Sequence, residues 1–189
     1  MSTAGRRLRL REATSAAHAS LDARASTLDL EQLEDYRRFL IGNAAAVLAA
    51  ESVLERAAVT DCFADWPQRS RRKLILEDLH GLGSSTRALR WKRPIPSRAE
   101  IFGIVYVLEG SRLGARMLLP RAQASGSPVV RANCRFLSAQ QPMLWRVFLE
   151  RLESADDAAD EQAVVAGAQD AFALFERSFS LALAHQPTP

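Results

Sequence analysis

The sequence predicts an all-α protein of about six or seven helices around one core. Three observations carry that prediction. Apolar residues recur at helical spacing, as in Leu33, Tyr36, Phe39, Leu40, Ala44, Val47 and Leu48. Helix-start signals stand ahead of such runs, the strongest being Ser97-Arg-Ala-Glu100 directly after a proline. The sequence shows no convincing run of alternating β-branched residues, and no internal repeat.

The elements follow in order. A first helix runs from about Ala4 to Ala25. Asp29 with Gln32 forms a capping box for a second helix that ends near Ala57. Gly42 inside it marks a close approach or a weak spot. Val59–Pro67 connects to a third helix, Pro67–Leu82, with His80 near its end, where the basic ring suits the helix dipole. Ser84–Pro96 reads as a loop. The helix opened by Ser97 is the most apolar in the chain and stops at Pro120. Arg121–Leu137 reads as another loop. Ser138 with Gln141 caps the next helix, and Asp156 or Asp157 caps the last, which ends near Ala184. Gln186–Pro189 frays.

Composition bounds the classes. With 48% hydrophobic and 25% charged residues, the 189 residues are globular and long enough for one domain over 1–189. The net charge is only +3. The basic runs Arg69–Lys73 and Arg87–Arg93 lack the aromatic interleaving of a nucleic-acid surface and read as solvated helix faces. Arg6 and Arg7 precede no apolar leader segment, and no run is long enough to span a membrane. Cys62 and Cys134 form no CxxC pair and read as free thiols of a reducing cytoplasm. His18, His80 and His185 are too far apart in sequence for a zinc cluster.

Two constellations carry chemistry. In the first helix, Arg11, Thr14, Asp22 and Ala25 fall on the same face as His18. A metal-binding imidazole offers one nitrogen to the metal and donates the other N–H to a fixed acceptor; Asp22 at i+4 is such an acceptor. Arg11 is placed for an anionic group of a ligand lying along the helix. Taken alone, this stretch reads first as an ordinary amphipathic helix with a half-buried histidine. The second constellation changes that order. Gly103, Gly110 and Gly114 share one face of a later helix, where each costs about 1 kcal/mol relative to alanine. Tight helix packing would compensate, and so would a flat ligand pressed onto bare backbone. A planar, metal-centred, dianionic ligand held between the two helices is heme. No second His or Met is obviously placed to close the far side of its iron.

The chain resembles the biliverdin-producing heme oxygenases, in particular the bacterial branch associated with bacteriophytochromes. Leu10-Arg-Glu-Ala-Thr-Ser-Ala-Ala-His18-Ala-Ser-Leu-Asp22 is similar to the family's proximal helix. Tyr106-Val-Leu-Glu-Gly110-Ser-Arg-Leu-Gly114-Ala-Arg-Met-Leu118 is similar to its kinked distal helix, and Ala171-Phe172 through Phe179 to its last core helix. The resemblance spans the chain in helix order.

It implies a single-domain heme oxygenase-like bundle and an oxidoreductase acting on heme b, both substrate and cofactor. His18 is then the iron ligand, with Arg11 on a propionate and Thr14, Asp22, Tyr106 and Gly103 around the ligand. Gly110, Gly114 and Ser111 form the distal catalytic side. Ser111 stands where some members carry an acid, and Ala115 where many carry a glycine. Arg146 and Arg151 are the nearest candidates for further propionate partners. The products implied are biliverdin, carbon monoxide and iron, made from dioxygen and external electrons. The donor is a ferredoxin, a reductase or an ascorbate-like reductant, and a bacteriophytochrome is a candidate acceptor of the bilin. The alternatives are a non-catalytic heme sensor or carrier, and a heme-free helical protein that binds a partner.

Overall fold

The computed structural model describes residues 5–184. The described residues hold nine α-helices: α1 (Arg6–Ala25), α2 (Leu33–Arg56), α3 (Trp66–Arg69), α4 (Arg72–Gly81), α5 (Arg98–Gln123), α6 (Pro128–Ala132), α7 (Arg135–Ser138), α8 (Pro142–Ser154) and α9 (Glu161–Ala184). Six of them reach ten residues, which matches the expected layout. No strand occurs among these residues. The expectations for Ala4, His185 and Gln186–Pro189 lie outside the described residues.

Several boundaries differ from expectation, each for a local reason. Asp29 does not cap α2, because its carboxylate accepts the Glu31 N–H instead; α2 starts one turn later. The single helix expected over Pro67–Leu82 is broken at Ser70–Arg71, where the buried Glu51 carboxylate takes the Ser70 hydroxyl and the Arg71 N–H. Pro120 does not end α5, which continues one turn to Gln123. The loop over Arg121–Leu137 contains two short helices, and α8 begins at Pro142 without a serine cap. Asp160, rather than Asp156 or Asp157, accepts the Ala163 N–H at the start of α9. The Ser97–Glu100 capping box is present in full.

Three long helices position the site. α9 lies at the centre and packs on α1, α2 and α5. Arg9 pairs with Glu161, Gln169 donates to the Ala13 carbonyl, and Arg24 donates to Ser180, so α1 runs in the same direction as α9. Arg98 pairs with Asp157, and Gly103 lies against Val164 and Ala168, so α5 crosses the first half of α9. Beyond the crossing, α5 heads for the α1–α2 junction, where Ser125 donates to the Glu31 carbonyl. α1 and α5 barely touch each other along the way. They are two separate walls on α9.

The α5–α9 crossing is backbone on backbone. A Cβ on Gly103 would stand 2.0 Å from the Val164 carbonyl oxygen, and one on Gly167 would stand 2.3 Å from that of Glu100. α1 is seated differently. Its first N–H groups, on Arg6 and Arg7, are accepted by the Glu153 carboxylate of α8 at 2.9 Å each. An anion there satisfies orphan donors and suits the helix dipole. Only Leu10 and Thr14 of its twenty residues are buried. α1 is a lightly packed outer helix.

Candidate active site

On the α1 wall, His18 Nδ1 lies 2.9 Å from Asp22 Oδ2. With the proton on Nδ1, the Nε2 lone pair is the one left for a metal. The ring touches buried Phe172 of α9 edge-on, with centroids 5.9 Å apart, while most of the imidazole is exposed. Arg11 is exposed and makes no ion pair among the described residues. Thr14 differs from expectation. It is buried, and its hydroxyl donates to the Leu10 carbonyl at 2.8 Å, so its proton is spent within its own helix.

The α5 wall divides in two. Gly103 belongs to the α5–α9 crossing, with no room for anything flat against it; its expected place in the ligand floor is corrected to packing. Gly110 and Gly114 are different, because a Cβ on either would meet nothing within 4 Å. Tyr106, one turn before Gly110, is half-buried and packs on Trp145 of α8 at 5.9 Å between centroids. Of the two later arginines, Arg151 donates to the Cys62 carbonyl at 2.7 Å and lies over Phe63, so it is committed to the core. Arg146 is exposed beside Glu150.

Ser111 sits between the glycine face and a buried charged layer. Its hydroxyl donates to the Leu108 carbonyl at 2.7 Å and accepts from Arg71 Nη2 at 2.5 Å. Arg71 is itself buried and stacked on Phe136 at 4.6 Å, and its Nη1 has no hydrogen-bond partner. Burial and the nearby Arg112 pull its guanidinium down to about 9, against the opposing pull of Glu109 and Glu51. Arg69 and Arg112 flank Glu109 at 3.4 and 3.3 Å, all three buried. The run Arg69–Lys73 is therefore not a solvated face. A signal was present: Glu51 and Glu109 each interrupt a strongly apolar helix, and a buried carboxylate needs a cation.

A groove of about 710 Å³ lies elsewhere, between α2, the Gly83–Arg90 segment and the end of α9, lined by Arg37, Arg38 and Leu89 among others. It contains none of the residues singled out for the ligand.

Three comparisons bear on this geometry. No family model matches the chain. A heme oxygenase of Xanthomonas campestris pv. campestris is 35% identical over 130 residues, covering 66% of this chain and 76% of that protein. The chain belongs to the heme oxygenase family. The structure is also similar to the crystal structures of NO- and CO-bound heme oxygenase from Neisseria meningitidis, with a TM-score of 0.72 over 99% of this chain and 96% of that one. At 21% identity this likeness shows a shared fold. The heme oxygenase family makes the chain an enzyme and makes heme the ligand to fit. The residue types on α1 and α5 suit it. One wall carries an imidazole with a free Nε2 and an unpaired cation seven residues before it. The other carries two helical glycines with nothing over them. No helix among the described residues is long and apolar enough to cross a membrane.

Proposed function

We propose that this heme oxygenase cleaves heme to biliverdin, carbon monoxide and iron, with His18 as the iron ligand. One observation carries the reading. A histidine whose Nδ1 is held by Asp22 stands on α1, and two uncovered glycines stand on α5. When bound, heme supplies both the iron that activates dioxygen and the ring that is oxidised.

The chain's own residues do the rest. His18 offers Nε2 while its Nδ1–H donates to Asp22, and an imidazole is a milder donor than a thiolate. Arg11 takes a carboxylate of the ligand, and Tyr106 borders the pocket. The bare backbone of Gly110 and Gly114 lets the ring approach and narrows the space above it. Ser111 has spent its proton on Leu108, so it accepts rather than donates. Together with the unpartnered Arg71 Nη1, it holds the water that delivers a proton.

Electrons come from an external donor such as a ferredoxin, a reductase or an ascorbate-like reductant. The enzyme acts in the cytoplasm as one domain over 1–189 and passes its bilin to an acceptor such as a bacteriophytochrome. Two buried free thiols and one continuous hydrophobic core support the first two points.

The test is to add hemin to the purified protein, then a reductant in air, and record the visible spectrum. A Soret band that decays into bilin absorption with release of carbon monoxide is expected. A stable Soret band without bilin would mean a heme carrier. No Soret band would mean a heme-free protein.

A further inference from the structure

Among the described residues, no large apolar side chain is more exposed than Met117, at 81%. It lies seven residues after Gly110 and three after Gly114, offsets that place all three on one face of α5. Helical side chains lean toward the helix N-terminus, so its thioether reaches back over the turn holding Gly114. Nothing of the protein stands over that turn, because Cβ positions on Gly110 and Gly114 are open. Leu113, also partly exposed, flanks it. A methionine left in water above a bare-backbone floor gains its burial only when a ligand covers it.

We propose that Met117 packs over the rim of the bound heme's distal face, against one edge and its substituents, and so fixes which meso edge of the ring lies beneath α5. This rests on the reading of α1 and α5 as the walls of the heme site. The physical need is plain. A single axial imidazole is a pivot and does not set the ring's rotation about it. Rotation is set by contacts at the periphery. Arg11 supplies one from the α1 wall, and Met117 supplies the other from the α5 wall. A flexible, polarizable thioether suits a flat π surface.

The first test needs no turnover. The protein holds three methionines, Met1, Met117 and Met143. With their methyl groups labelled with carbon-13, Met117 is assigned by its loss in Met117→Leu. Gallium protoporphyrin IX, a diamagnetic and unreactive probe, is then titrated in. The Met117 methyl should move upfield by ring current, and the Met143 methyl should stay in place. Saturable binding with an unmoved Met117 methyl overturns the proposal alone. Absence of binding overturns the heme-site reading and the proposal with it.

The second test uses hemin turnover. Met117→Ala should turn a single biliverdin isomer into a mixture, and Met117→Leu should keep the wild-type isomer. An unchanged isomer from Met117→Ala overturns the proposal.

Discussion

Ser111 spends its proton on the Leu108 carbonyl and receives one from Arg71, so its rotor is fixed from both sides. Ser111→Ala should cost only about 1 kcal/mol of stability yet slow bilin formation, because the water it helps hold loses an acceptor. Stopped-flow turnover beside urea unfolding separates the two effects. Arg69 is a stability residue instead. It pairs with Glu109 at 3.4 Å in the buried layer and chelates Asp65 through two nitrogens. Arg69→Met should destabilise by about 3–5 kcal/mol, the usual cost of stranding a buried charge, read as a lower urea midpoint. Asp65 adds a pH signature. Burial raises its carboxyl, but hydrogen bonds and charge from Arg69 outweigh that and hold it below the ordinary range. A depressed carboxyl stabilises the fold above its unfolded value of about 4 and loses that contribution as pH falls through the folded value. Asp65→Asn should therefore flatten the acid limb of the stability–pH curve.

At the scale of elements, α5 uses glycine for two unlike purposes, and substitution separates them. Gly103→Ala puts a methyl 2.0 Å from the Val164 carbonyl. It should destabilise by about 3 kcal/mol or more, in thermal or urea unfolding. Gly114→Ala meets nothing. It should stabilise the ligand-free protein by about 1 kcal/mol through helix propensity and weaken hemin binding. The sequence alone placed all three glycines on one face but could not say what faces them. That depends on where α9 crosses α5, a long-range fact set by the matching Gly167. The same limit applies to Thr14 and Arg151. Thr14 was placed by its spacing from His18 and Arg151 by the resemblance alone, and packing claimed both. Met117 was hidden for the opposite reason: in sequence a lone methionine on an apolar helix reads as core.

Over the whole molecule, helix order and class were legible because periodicity and caps such as Ser97–Glu100 are local signals. Helix ends were less so, since Glu51 breaks one helix and Glu153 caps another from far along the chain. The Arg69–Lys73 run misled because charge was read as exposure. The architecture itself is simple. A central α9 carries two walls, α1 and α5, that hardly touch; His18 stands on one and bare glycine on the other. In the proposed complex heme is held between them, with His18 on its iron. The most direct measurement is the resonance Raman spectrum of the ferrous, oxygen-free hemin complex of wild type and His18→Ala. The wild type should show an iron–histidine stretch, His18→Ala should lose it, and added imidazole should restore it. An iron–histidine stretch that persists unchanged in His18→Ala would contradict His18 as the iron ligand.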